Sequence, residues 1–245
     1  MRYLVLSDVH ANIDALTAVL AVAAGLRYEH VLVLGDLVGY GAAPNEVIDC
    51  VRSLNPLAAI RGNHDKAATG LGETENFNPL AKQAAAWTKA ALTPDSLAYL
   101  AQLPAGPVQV NDDLEICHGT PFDEDAYVFD SLDAIRAINA VSRPLCLFGH
   151  THVPLIVGLE DGEMVYDDVR DDQVLAMKAG GRYLINAGSV GQPRDGDVRA
   201  SFGVVDTDTR QVEFRRVPYP VEAAQDRIRQ AGLPEQLARR LAAGR

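Results

Sequence analysis

Asp8-Val9-His10, Gly35-Asp36, Gly62-Asn63-His64-Asp65, Cys117-His118-Gly119 and Gly149-His150-Thr151-His152 gather imidazoles, carboxylates and one neutral amide into short blocks. Such nitrogen and oxygen donors suit divalent transition metals, and imidazole also titrates near neutrality, so the blocks fit metal binding coupled to proton transfer. All but one of the 6 histidines lie in them; His30 opens an apolar run and reads as a surface or strand-edge residue. Asp8 and His10, like His150 and His152, are two positions apart, and in an extended segment such pairs project to one side. Glycines at 35, 62, 119 and 149 flank the candidates, where a close backbone approach would otherwise meet a Cβ.

These blocks stand at the polar ends of apolar runs. Residues 3–6, 30–34 and 57–60 read as buried strands, separated by helical stretches at 13–24 and 44–54, an alternation that predicts a parallel sheet. In open α/β sheets ligands bind outside the carboxyl ends of strands, so loops far apart in sequence are expected to converge on one crevice. Residues 77–103 are helical in character with a break at Thr93-Pro94, and Thr93 suits the cap of the second segment. Further on come a hairpin around Asn111-Asp112-Asp113, a helix at 131–140, a strand at 145–148 and a hairpin around Asp161-Gly162. Strands at 183–186, 202–206 and 211–216 and two short tail helices split at Gly232-Leu233-Pro234 complete the pattern. With no repeat, low-complexity tract or linker, residues 1–245 are expected to form a single domain.

A formal charge of −11 opposes attraction to duplex nucleic acid or an anionic membrane, both of which need clustered Lys and Arg. The 3 cysteines have no CxxC spacing, and no apolar stretch reaches the roughly 18 residues of a membrane span, so a reducing cytoplasm is expected.

Taken in order, DxH (8–10), GDxxGY (35–40), GNHD (62–65), His118 and GHxH (149–152) resemble the motif set of the calcineurin-like metallophosphoesterase family. Residues 35–47, 118–121 and 186–197 look like the branch of small prokaryotic phosphodiesterases related to diadenosine tetraphosphatases. The likeness covers about residues 1–205 and leaves the helices at about 220–245 without a motif. It implies an α/β sandwich of two mixed β-sheets flanked by α-helices, with a parallel or mixed first sheet facing a more antiparallel second one. Asp8, His10, Asp36 and His152 would hold one metal, and Asp36, Asn63, His118 and His150 the other. Two dications less the carboxylates of Asp8 and Asp36 leave a surplus of positive charge, which a hydroxide and a phosphodiester anion would neutralise. A neutral amide at Asn63 preserves that surplus.

The resemblance further implies hydrolysis of a phosphodiester or phosphoanhydride in a small nucleotide-like molecule, by in-line attack of a metal-bridging hydroxide. His64 would stabilise or protonate the leaving oxygen. Phosphoprotein phosphatases of the superfamily carry an aspartate that orients the catalytic His and a phosphate-holding arginine where this chain has Gly39 and Tyr40. That weakens a protein-phosphatase reading and leaves Asp65 divided between orienting His64 and capping a turn. Tyr40, Arg61 and Arg194 are the candidates for substrate contact, with Gln192 beside them; surface salt bridging is the competing role for each arginine. Ser189 reads as a turn hydroxyl, and the arginines of the tail, Arg227 to Arg245, as a solvated helix face. Mixed N and O ligands without thiolate favour Mn, with Fe, Co, Ni or Zn as alternatives. A phosphomonoesterase, and a non-catalytic protein-binding module with metals as struts, are the rival functions.

Overall fold

In β1 (Arg2–Leu6) every residue after Arg2 is buried, because alternate side chains serve different cores. Leu4 and Leu6 point to a helical layer, while Tyr3 and Val5 point to a second sheet. The computed structural model describes all 245 residues and contains two six-stranded sheets. The first has the order β3 (Ala58–Ala59), β2 (His30–Val33), β1, β11 (Ala200–Asp206), β12 (Gln211–Val217), β9 (Gln173–Ala176). The second has the order β4 (Val108–Gln109), β5 (Leu114–Ile116), β6 (Leu145–Phe148), β10 (Arg182–Asn186), β7 (Leu155–Glu160), β8 (Glu163–Asp168).

The second sheet is not the more antiparallel one. Each sheet contains two parallel pairings, β1–β2 and β2–β3 in one, β5–β6 and β6–β10 in the other, and three antiparallel ones. The late strands β11 and β12 return to the first sheet and pair against β1, so order along the chain does not divide the sheets.

Between the sheets Tyr3, Leu32, Leu147, Tyr183, Ile185 and Phe214 share one apolar core. Outside the first sheet lie α1 (Ile13–Ala23), α2 (Pro44–Ser53), α4 (Pro79–Ala91), α5 (Pro94–Gln102), α7 (Val221–Gln230) and α8 (Glu235–Leu241), and outside the second α6 (Ser131–Ala140). Asn12 caps α1 through its side-chain oxygen, and Thr93 caps α5 in the same way, as its position before Pro94 predicts. No helix is long and apolar enough to cross a membrane.

Two local features depart from the sequence pattern. The run at 57–60 contributes only Ala58 and Ala59 to the sheet, and GNHD opens a helix, α3 (Asn63–Thr69), with Gly62 at its N-cap. β9 is an additional edge strand whose residues alternate between half-buried and exposed; paired on one side only, it needs no strong apolar signal.

Candidate metal centre

Parallel pairing sets the carboxyl ends of β1 and β2 side by side in one sheet and those of β5 and β6 in the other. Asp8 and His10 follow β1, Asp36 follows β2, His118 follows β5, and His150 and His152 follow β6, while Asn63 and His64 open α3. The loops are stitched together through Asp8 N to Gly35 O (3.1 Å), His10 N to Asp36 O (2.9 Å) and Gly149 N to His118 O (2.9 Å). The two sheets meet at Gly149, where a Cβ would stand 2.2 Å from Ser7 Oγ and 2.8 Å from Asp8 Oδ2. His150 N donates to Asp8 Oδ1 across that junction at 3.1 Å.

The i, i+2 pairs are not presented by extended backbone. Asp8, His10, Asp36, His150 and His152 all have positive φ, between 48° and 68°. For residues with a Cβ this costs on the order of 1 kcal/mol or more each, and it persists only where surrounding packing enforces it. The left-handed turns, rather than strand alternation, aim these side chains at one centre.

Ring orientations follow from the hydrogen bonds at the other nitrogens. His10 donates from Nδ1 to Val38 O (3.0 Å) and His152 from Nδ1 to Gln192 O (2.6 Å). Carbonyls only accept, so in each neutral ring Nε2 is left as a lone pair, and the two Nε2 atoms face each other at 3.0 Å. Asp8 Oδ1 lies 3.3 Å from His152 Nε2 and Asp36 Oδ2 3.5 Å from His10 Nε2. On the other side His118 donates from Nδ1 to Leu34 O (2.7 Å), leaving Nε2 3.2 Å from Asn63 Oδ1 and 3.4 Å from Asp36 Oδ2. His150 donates from Nε2 to Asp125 O (3.1 Å), and its buried Nδ1 has no partner. Around His10, His152 and Asp8 acceptors converge on acceptors, which is unfavourable unless something positive lies between them, and a cation meets that condition; at His118 Nε2 either a proton or a cation does so.

Two such groups exist, Asp8, His10, Asp36 and His152, and Asp36, His118 and His150, each with ligand atoms within 4.8 Å of one another; Asp36 belongs to both. All these residues are buried. Burial opposes charge on His118, but the neighbouring Asp36 and Asp8 carboxylates outweigh it and push its pKa up to about 10. Burial lifts Asp8 to about 6 and holds His10 and His152 well below the usual imidazole range. Ser7 Oγ donates to Asp8 Oδ2 at 2.6 Å, and His64 N donates to Asp36 Oδ1 at 2.8 Å, so both carboxylates are fixed from outside.

The imidazole of His64 is held by packing. Its ring centroid lies 4.3 Å from that of Tyr40, 4.8 Å from Phe77 and 4.9 Å from His10, and a Cβ at Gly39 would stand 2.5 Å from its Nδ1. That Nδ1 is buried without a partner. Burial pushes the ring down to about 4, against the pull of Asp36. Asp65 does not orient it: Oδ2 accepts from Gly62 N (3.0 Å) and Oδ1 from Val38 N (3.1 Å), which makes Asp65 the cap of α3 and a tie to the loop after β2.

The calcineurin-like phosphoesterase superfamily domain matches residues 1–210. This chain belongs to that superfamily. An uncharacterised protein of Methanocaldococcus jannaschii is 33% identical over 98% of this chain and 97% of its own length. The crystal structure of a metallophosphoesterase from Sphaerobacter thermophilus is similar at 42% identity and a TM-score of 0.89, covering 100% of this chain and 99% of that one. A hypothetical protein from Pyrococcus horikoshii shares the fold at 22% identity and a TM-score of 0.80, covering 100% and 98%. Members of the superfamily use divalent metals, and the buried Asp/His groups here fit such a site.

Around this metallophosphoesterase centre the candidates for substrate contact separate. Arg61 is committed elsewhere, donating from Nε and Nη2 to the two carboxylate oxygens of Glu124 at 3.1 and 3.0 Å. Tyr40 and Arg194 stay at the site, with Arg194 Cζ over the Tyr40 ring at 5.7 Å and Arg194 Nη2 donating to Gln192 Oε1 at 3.2 Å. Ser189 is a turn hydroxyl, accepting from Gln192 N and donating to Asp8 O. A cleft of about 220 Å³ opens beside the centre, with Tyr40, Asn63, His64, Phe77, Tyr127 and His150 among its walls. Phe77, Asp125 and Tyr127 escape sequence reasoning; Tyr127 stacks on His150 at 3.7 Å. They carry no motif, and only the ring contacts and the Asp125 carbonyl bond reveal them.

Proposed function

We propose that the protein is a two-metal phosphoesterase that cleaves a phosphodiester or phosphoanhydride in a small nucleotide-like substrate. The observation that carries this reading is the pair of buried acceptor groups sharing Asp36. Asp8, His10, Asp36 and His152 would hold one cation and Asp36, Asn63, His118 and His150 the other, with Mn the first choice for such N and O donors. When bound, two adjacent cations polarise phosphoryl oxygens and lower the pKa of water.

The chain's own residues do the rest. His64, packed among Tyr40, Phe77 and His10, presents its imidazole to the cleft, where it stabilises or protonates the leaving oxygen. The aromatic walls Tyr40, Phe77 and Tyr127 offer flat apolar surface to a base or sugar and exclude water from the reacting phosphorus. The tail helices pack on the same apolar core as α1, which supports taking residues 1–245 as a single domain. A cytoplasmic location is part of the proposal and rests on 3 cysteines without CxxC spacing.

Assays with bis(p-nitrophenyl) phosphate and p-nitrophenyl phosphate in the presence of Mn test this reading. Faster turnover of the diester is expected, EDTA should abolish it, and His64→Ala should lower kcat by about 10²–10⁴-fold with both metals retained. Undiminished turnover in His64→Ala would overturn the assignment, and preference for the monoester would favour the phosphomonoesterase.

A further inference from the structure

In this acidic chain, with 33 Asp and Glu against 22 Lys and Arg, 9 of the 18 arginines pair with a carboxylate. In the tail, Arg227 pairs with Asp14, Arg229 with Asp226 and Glu235, and Arg239 with Glu235. Arg240, on the next position of α8, does not follow them. Its guanidinium carbon lies 5.5 Å from the Tyr40 ring centroid, and its Nε donates only to the Arg245 carbonyl at 2.9 Å. The expectation of a solvated basic face thus fails at this residue, which is half-buried against Tyr40, a wall of the cleft.

Arg194 meets it there from the loop after β10. Its guanidinium carbon is 5.7 Å from the same ring, its bond to Gln192 Oε1 is to a neutral amide, and its buried Nε has no partner. No Asp or Glu side chain pairs with either arginine; the oxygen that Arg240 binds belongs to the main chain of Arg245, the last residue of the sequence. Two like charges brought to one aromatic ring repel each other; burial and then Arg194 push the pKa of Arg240 down. Both arginines nevertheless stand on anchored backbone. Leu237, Ala238 and Leu241 bury the inner face of α8, and Arg194 N is tied to His152 O at 3.3 Å. A half-buried pair of guanidinium forks at one ring, neither with an Asp or Glu partner, is complementary to an anion with several oxygens.

We propose that Arg194 and Arg240 form a second anion subsite, which holds a phosphoryl group of the substrate other than the one being cleaved. The inference rests on the phosphoesterase reading, in which the cations take the scissile phosphoryl group and leave the arginine pair for another. It makes α8 part of the substrate site and selects molecules with at least two phosphoryl groups over simple diesters. Tyr40 is the shared wall, its ring centroid 4.3 Å from that of His64 and 5.7 and 5.5 Å from the guanidinium carbons of Arg194 and Arg240.

Calorimetric titration of the Mn-loaded full-length protein with methylenediphosphonate and with methylphosphonate tests the subsite without turnover. The diphosphonate is expected to bind at least about tenfold more tightly than the monophosphonate. Arg194→Gln and Arg240→Gln should each reduce that ratio about fivefold or more, and Arg240→Lys, which keeps the charge, should restore part of it. A ratio near one in the unsubstituted protein overturns the proposal. So does a ratio indifferent to both glutamine variants, even where their melting temperatures fall, since that outcome leaves the pair a purely structural stack on Tyr40. Failure of the parent reading shows separately, as absence of bis(p-nitrophenyl) phosphate hydrolysis by the Mn-loaded protein.

Discussion

Neighbouring residues 64 and 65 serve different ends. His64 turns its ring into an aromatic cage at the cleft, while Asp65 turns away and binds the backbone N–H groups of Gly62 and Val38. Replacing Asp65 by Ala strands two buried donors at the start of α3 and should cost about 1–3 kcal/mol of stability, measured by urea denaturation. Because Asp65 does not touch the imidazole, the pH profile of kcat/KM should keep its shape in this variant; a displaced profile would restore Asp65 as the orienter of His64. Gly62 is equally constrained, since a Cβ there would lie 2.1 Å from Asp36 Oδ1. The identities of these residues were legible in the block GNHD, but their division of roles was not, because adjacent positions in a helix diverge by about 100°.

At the scale of elements, the loop after β5 is bound to α3 by charge. Glu124 accepts from Arg61 and from Lys66 Nζ (3.1 Å), and the same loop brings the Asp125 carbonyl to His150 and the Tyr127 ring onto it. Burial alone would raise the Glu124 pKa, but Arg61 and Lys66 outweigh it and hold the carboxyl below the usual range. A depressed folded-state pKa means that the stabilisation is complete above the unfolded value of about 4.3 and is lost as pH falls through the folded value. Glu124→Gln should therefore cost about 1 kcal/mol at neutral pH, as expected for a partly exposed pair, and the difference should vanish in strong acid. Thermal melts of both proteins across that range provide the check, and a difference that persists in acid would count against the ion pair. Sequence patterning located most of the elements but misjudged GNHD as a turn and left β9 out, since a seven-residue helix and a half-exposed edge strand carry little periodic signal.

For the whole molecule, the C-terminal helices matter beyond their lack of motif. Ile228, Leu237 and Leu241 enter the same core as Leu16 and Val19 of α1, and Leu237 is fully buried. Leu237→Ala should cost about 2–5 kcal/mol in chemical denaturation, a large part of the stability of an ordinary domain. A loss well under 1 kcal/mol would show that the tail is only loosely attached. The ordered blocks from Asp8 to His152 determined by themselves the superfamily and the metal-type residues, because ligand chemistry requires particular side chains wherever they stand in the chain. Apolar periodicity likewise sufficed for most strands and helices, which depend on local spacing. Only the tertiary structure decided that left-handed turns aim the candidate ligands, that Arg61 is neutralised by Glu124 while Arg194 and Arg240 gather at Tyr40 without an Asp or Glu partner, and that the second sheet is as mixed as the first. Charge partners and strand neighbours are set by distances in space between residues that may be 200 positions apart, and no local pattern in the chain encodes them.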